Sequence, residues 1–177
     1  PYPTLFRSRL PGHVLAVLDQ AYFEYIDDPD YADGIAELFR EGRRVAVLRT
    51  FSKIYGLAGL RVGYAVAPAD VVAATSKVRR AFDVTAPAQA AALASLEGAD
   101  ELARRRALNA AGRGEIEAAL RAHGLEPPGR AVGNFLFAEV GDGAVLFDRL
   151  LRQGVIVRPL VGFGAPEAIR VTVGTPE

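Results

Sequence analysis

The chain has 177 residues, half of them hydrophobic, with 21 Lys and Arg against 21 Asp and Glu. That length supports one sizeable core or two small subdomains, and a net charge of zero gives no electrostatic pull toward nucleic acid or an anionic membrane surface. The absence of cysteine removes thiol chemistry and fits a cytoplasmic protein, two histidines are too few for a histidine-rich metal site, and no apolar run has the length of a membrane span.

Residues 13–18 (HVLAVL) form a short apolar run without alternation that ends at Asp19, the pattern of a strand buried on both faces of a parallel sheet. Asp27-Asp28-Pro29-Asp30 reads as a loop, and residues 32–40 as a short amphipathic helix ended by Gly42. Residues 44–48 (RVAVL) predict a second buried strand, running directly into Arg49-Thr50-Phe51-Ser52-Lys53. A glycine-containing loop precedes a third strand over 60–67, and Pro68-Ala69-Asp70 opens a helix to residue 80. Strands and helices alternating in this way indicate an α/β layered domain. Residues 87–123 are rich in Ala, Leu, Arg and Glu, which predicts one long helix or two in series. Gly98, Gly112 and Gly114 are candidate breaks or kinks, and Gly124 is the candidate C-cap. Past the Pro127-Pro128-Gly129 turn, strands over 134–140, 155–157 and 169–173, with a helix over 144–153, make a small α+β unit. A soft boundary falls near residue 95. Thr175-Pro176-Glu177 reads as the opening of a helix; together with the Pro1-Tyr2-Pro3 start, it gives the expectation that this chain is a fragment.

Three groups of residues carry candidate chemistry. Asp19 stands at the C-terminal end of a predicted strand, where open α/β sheets bind ligands. A carboxylate there suits a cationic partner such as a protonated pyridine nitrogen, with the Tyr22 hydroxyl near a ring oxygen; the alternative is an aspartate that caps the next turn. Lys53 follows the second strand and is one of only two lysines, with Lys77. A partly desolvated lysine is a usable nucleophile, and the Thr50 and Ser52 hydroxyls suit a phosphate; the alternative is a solvated surface lysine. Arg61, beyond the Gly56-Leu57-Ala58-Gly59 loop at the head of the third predicted strand, could bind that phosphate bidentately or snorkel at a strand edge. Arg158 and Arg170, in or beside the last strands, could hold an anionic substrate group or stand on the surface.

These segments together resemble the class I/II aminotransferases, pyridoxal-phosphate (PLP) enzymes of fold type I, and among them the histidinol-phosphate aminotransferases most of all. The resemblance is carried by Asp19-Gln20-Ala21-Tyr22, by Arg49 to Tyr64 (RTFSKIYGLAGLRVGY), by Ala88-Gln89-Ala90-Ala91, by Gly133-Asn134-Phe135 and by Ile169 to Thr175 (IRVTVGT). It implies an α/β fold: residues 1–95 as the C-terminal part of a PLP-binding large domain with a mostly parallel sheet, and 96–177 as a small α+β C-terminal domain. Lys53 is then the residue that binds PLP covalently and moves the proton between the substrate α-carbon and the cofactor C4′ carbon. Asp19 pairs with the pyridine nitrogen, Tyr22 bonds the ring oxygen, Ser52, Arg61 and Thr50 hold the phosphate, and Arg170 with Arg158 binds the substrate's phosphate or carboxylate.

The activity implied is transamination of histidinol phosphate with 2-oxoglutarate in histidine biosynthesis, by a cytoplasmic homodimer. The alternatives are an aromatic amino-acid aminotransferase and a PLP-dependent phospho-amino-acid decarboxylase. Two departures from the family stand out. Gln20 occupies the place of a usual Glu, at a position not expected to touch the cofactor. The glycine-rich phosphate cup, the ring-stacking aromatic and the Asn that the family carries in an N-terminal segment have no counterpart here, nor does 1–9 supply them. The 177-residue chain alone is therefore expected to be a poor catalyst or an inactive one.

Overall fold

The computed structural model describes residues 10–175, so residues 176–177 of the helix opening expected at 175–177, and any role for residues 1–9, lie outside the described residues. The chain forms two compact units, Pro1–Leu102 and Ala103–Glu177. No helix among the described residues is long and apolar enough to cross a membrane.

In the first unit, β1 (Ala16–Asp19), β2 (Val45–Thr50) and β3 (Gly63–Val66) make a sheet in that order. β1 and β2 are parallel, with Ala16 opposite Val45 and Asp19 opposite Leu48. Parallel pairing needs a crossover, and its covering piece is a short π-helical turn, Gly34–Phe39. Asp33 caps it by accepting from the Ile35 and Ala36 amides at 2.8 and 3.2 Å, while its own amide donates to Glu37 at 2.8 Å. Gly34 lets the turn lie on the sheet: a Cβ there would stand 2.9 Å from both Leu18 Cδ1 and Val47 Cγ2. Leu38, Val45 and Val47 form the resulting core, flanked by Ala16, Leu18, Ile35 and Phe39.

Two sequence expectations need correcting here. β1 is not buried on both faces: it alternates half-buried and exposed, and Val17 keeps 59 % of its surface. The crossover turn covers one face of β1, and the opposite face meets no comparable apolar layer among the described residues. Nor is this sheet mostly parallel, because β2 and β3 pair antiparallel. The connection over 51–62 contains only the 3-10 turn Ala58–Leu60, too little for a crossover helix, and it returns the chain alongside β2. Arg61 ends that turn in the left-handed region (φ 53°, ψ 49°), so the strand begins at Gly63 rather than at residue 60.

The helices that follow are α1 (Ala69–Ser76), α2 (Ala86–Leu96) and α3 (Ala99–Ala122). Arg44, just before β2, bonds Asp70 in the first turn of α1 at 2.7 Å. Thr85 caps α2 by accepting from the Ala88 amide at 3.3 Å, and Ala88 and Ala92 of α2 pack with Phe51 and Val62. The predicted long helical stretch is two helices broken at Gly98. Gly112 and Gly114 do not break α3, and Gly124 (φ 73°) ends it with the Leu125 amide reaching back to Leu120 at 3.0 Å.

In the second unit, β4 (Phe135–Glu139), β6 (Ala168–Thr172) and β5 (Arg158–Pro159) form an antiparallel sheet in the order β4-β6-β5. The strand expected at 155–157 lies slightly later, and Val155 and Ile156 are exposed. α4 (Gly143–Leu151) is capped by Asp142, whose Oδ1 accepts from the Ala144 and Val145 amides at 3.1 and 2.9 Å. Its first residue rests against the Ala168 carbonyl, where only a glycine fits. Leu136, Ala138 and Ala168 have no exposed surface. Leu136→Ala opens a cavity in this layer and is expected to cost about 2–5 kcal/mol, read as a lower midpoint in denaturant unfolding; an unchanged midpoint would show that the second unit does not depend on this packing.

Candidate active site

β1 and β2 run parallel and end at the same edge of the sheet, the edge where α/β sheets take ligands. The Gln20 amide continues the ladder to the Leu48 carbonyl at 3.0 Å, after which the chain bends into the 3-10 turn Phe23–Tyr25. With period-two alternation, Asp19, Leu48 and Thr50 share one face of the sheet, and Gln20, Val47 and Arg49 share the other. Asp19 is exposed, and its Oδ1 accepts from the Ala21 amide at 3.1 Å, so the turn-capping role considered for it is realised. Lys53 lies with its Nζ 5.1 Å from the centre of the Tyr22 ring, which joins the two candidate segments directly. Thr50 Oγ1 accepts from the Ser52 amide at 3.1 Å and fixes the bend between β2 and the lysine.

Arg61 is placed differently from the expectation. It stands on the turn before β3, exposed, and its Nη1 donates to the Ala58 carbonyl at 2.7 Å. Its guanidinium retains further N–H groups, but its hydrogen bond is to its own turn rather than to Ser52 or Thr50.

The feature missed from the sequence lies on the buried face. The Arg49 side chain is 6 % exposed. Its Nη2 donates to Gln20 Oε1 at 2.9 Å and to Asp33 Oδ1 at 3.0 Å, its Nη1 lies 3.6 Å from Glu24 Oε1, and its guanidinium carbon stands 3.6 Å from the centre of the Phe23 ring. Gln20, set aside as a neutral departure, is the second hub: Nε2 donates to the Ala32 carbonyl at 2.9 Å, and Oε1 also accepts from the Gly34 amide at 3.2 Å. The available signal was an arginine at the end of an apolar strand, because a charge buried there has to be matched.

Tyr64, opposite Arg49 in the β2–β3 ladder, packs on Phe51 with ring centres 5.8 Å apart. Burial pushes its phenol above the ordinary tyrosine value; the Arg49 charge pulls the other way, and the Glu24 and Asp33 carboxylates add to the rise.

In the second unit Arg158 and Arg170 are direct cross-strand partners. Like charges so placed repel, and an anion between them would relieve that. Arg170 lies 5.1 Å from the Phe135 ring centre and Arg158 lies 5.8 Å from that of Phe163. Both line an open pocket of about 450 Å³ with Phe147, Ile156, Pro159 and Thr172 among its walls. Arg170 Nε is buried there without a hydrogen-bond partner.

The sequence profile of the family described as aminotransferase class I and II matches residues 9–177. A histidinol-phosphate aminotransferase of Akkermansia muciniphila is 46 % identical over 172 residues, covering 97 % of this chain and 46 % of that protein. Histidinol-phosphate aminotransferase 1 of Nitrosococcus oceani is 45 % identical over 175 residues, with the same two coverages, 97 % and 46 %. The crystal structure of histidinol-phosphate aminotransferase from Sinorhizobium meliloti in complex with pyridoxal-5'-phosphate superposes with a TM-score of 0.85 at 30 % identity, covering 98 % of this chain and 48 % of that one. The chain spans about half the length of the curated relatives it matches.

Two expected outcomes follow from this geometry. Gln20→Leu leaves the Gly34 amide and the Ala32 carbonyl without their partner and is expected to lower stability by about 1–3 kcal/mol, measured by urea unfolding. For Tyr64, the folded state holds its proton to higher pH than the unfolded chain does. Its contribution is therefore present below the unfolded phenol value and lost as pH rises through the folded one. Tyr64→Phe should flatten the fall in melting temperature on the alkaline side, and an identical alkaline limb in both proteins would contradict the assignment.

Proposed function

The chain belongs to the class I and II aminotransferase family, and from that premise we propose that it carries the lysine-bearing part of a PLP-dependent transaminase acting on histidinol phosphate and 2-oxoglutarate, in histidine biosynthesis. The observation that carries the proposal is the Lys53 amine held 5.1 Å from the Tyr22 ring, beside the shared edge of two parallel strands. The donor set there fits PLP: an exposed carboxylate, a phenol, a primary amine and two hydroxyls. The names and identities of the relatives support the choice of substrate.

When bound, PLP supplies a conjugated pyridinium ring that stabilises the negative charge left on the substrate α-carbon after proton loss. In this reading Lys53 Nζ would hold the cofactor and would take and return the proton of the substrate α-carbon. Asp19 offers its carboxylate to the cationic ring nitrogen, and Tyr22 its hydroxyl to the ring oxygen. Ser52, Thr50 and Arg61 bind the phosphate, with the Arg61 guanidinium using donors not committed to Ala58. Arg170, with Arg158, binds the substrate's anionic group; the unpartnered buried Nε of Arg170 supports that role, since a buried donor without a partner costs free energy that an anion would recover. One such site serves both amino donor and oxo acid, which occupy it in turn.

We assign residues 1–95 to the cofactor-binding large domain of fold type I and 96–177 to the small domain. A cytoplasmic homodimer, as the resemblance implies, completes the proposal. The test is chemical: add PLP, follow the absorbance band of the lysine-bound cofactor, reduce with borohydride and map the modified peptide. The label is expected on Lys53. Label on Lys77 from a folded sample would overturn the site, and carbon dioxide release without an oxo-acid requirement would overturn transamination.

A further inference from the structure

The candidate site is built from two chain segments that β-ladder hydrogen bonds align only up to Gln20 and Leu48. Beyond that point the segment after β1 leaves the sheet, while β2 runs on to Thr50 paired with β3 alone, yet Tyr22 and Lys53 are held together. Besides the Lys53–Tyr22 contact itself, Arg49 spans them. It stands one residue before Thr50 and four before Lys53, and its partners Gln20, Phe23, Glu24 and Asp33 belong to the segment that follows Asp19 and contains Tyr22. Arg49 reaches them from the buried face, opposite to the face of Asp19 and Thr50, so it is not placed to touch a ligand on that face.

We infer that Arg49, working through Gln20, is a positioning residue for the Lys53 site: it sets where Lys53 stands relative to Tyr22 and Asp19, and so how the cofactor ring is oriented. This rests on the reading of Lys53 as the cofactor lysine. Three physical points carry the inference. The guanidinium is planar and rigid, with donors in fixed directions, so bonding to Gln20 and Asp33 at 2.9 and 3.0 Å through one nitrogen fixes an orientation and not just a distance. Gln20 is itself locked by the Ala32 carbonyl and the Gly34 amide, so the constraint reaches the π-helical turn. Asp33 both caps that turn and accepts from Arg49, so turn and strand cannot shift independently. A lysine at position 49 keeps the charge but loses the fork.

The experiment compares wild type, Arg49→Lys and Gln20→Ala in the full-length PLP-loaded protein. It reads thermal unfolding of the apo form, the PLP dissociation constant, and the visible circular dichroism of the bound cofactor, which reports ring orientation. Folded variants are expected to bind PLP with a dissociation constant raised on the order of tenfold, the scale of about one lost hydrogen bond. They should also show an altered visible dichroism, the Gln20→Ala change being the smaller. A purely structural role would lower the unfolding temperature and leave the dichroism of bound PLP unchanged. Should Arg49→Lys fail to fold, Gln20→Ala decides, because it keeps the guanidinium and removes one of its anchors. Wild-type labelling at Lys53 with wild-type affinity and dichroism in the folded variants overturns this inference alone. Wild-type protein that takes no label at Lys53 overturns the reading beneath it, and the inference with it.

Discussion

A guanidinium under the edge of a small sheet constrains much of the first unit. Arg49 is buried in β2, and a buried cation is tolerated only if its charge and its hydrogen-bond donors are met. Its surroundings meet the charge and the Nη2 donors: Asp33 and Glu24 supply negative charge, Gln20 supplies a neutral acceptor, and the Phe23 ring presents its electron-rich face, while Nε is buried without a hydrogen-bond partner. Meeting them requires the segment after β1 to fold back beneath β2. That return brings the π-helical turn onto Leu18 and Val47, and Gly34 is what permits so close an approach. The path of the crossover thus follows from one strand residue's need for partners.

What was readable in the sequence divides along the same line. β1, β2, the helical stretches and the glycine that ends α3 were legible because each is set by local pattern: apolar runs, helix-forming composition, and Pro and Gly at element ends; the Asp33, Thr85 and Asp142 caps emerged only in the structure. The candidate residues Asp19, Tyr22, Thr50, Ser52 and Lys53 were legible because strand-end position is also local. The antiparallel turn of β3 was not, since it depends on what the connection lacks, a crossover helix, and not on what β3 contains. Arg61 was assigned to a strand head, and a left-handed backbone at a non-glycine residue leaves no periodic trace. The exposed face of β1 was misread for a related reason: HVLAVL records a strand that is apolar on both sides, and whatever covers the second side is not encoded in the strand itself.

The two units rely on different physics. In the first, the candidate chemistry stands at a strand edge and its support is a polar network beneath it. In the second, two arginines oppose each other on paired strands beside an apolar wall, with a buried nitrogen lacking a partner. Such a ladder pair is unfavourable by itself. Phe135 and Phe163 temper it, because a ring face attracts a guanidinium, but they do not satisfy its donors. A ring face holds a guanidinium in place without occupying its hydrogen-bond donors, and in Arg170 one of these, Nε, is buried without a partner.

Gln20 shows how a substitution that looks neutral takes its meaning from its neighbours. A glutamate, usual at this position in the family, would put three carboxylates around one guanidinium here and would turn an acceptor toward the Ala32 carbonyl, where the amide now presents a donor. The amide instead gives one donor and one acceptor to three partners and adds no charge. Glu24 and Asp33 then carry the electrostatic balance, and Asp33 can do so while capping a helical turn because its Oδ1 lies within reach of both the turn's amides and Arg49. A glutamine beside Asp19 is therefore consistent with a charge arrangement in which the counter-ions of Arg49 come from further along the crossover, leaving Asp19 on the other face of the sheet as a carboxylate not engaged with that guanidinium.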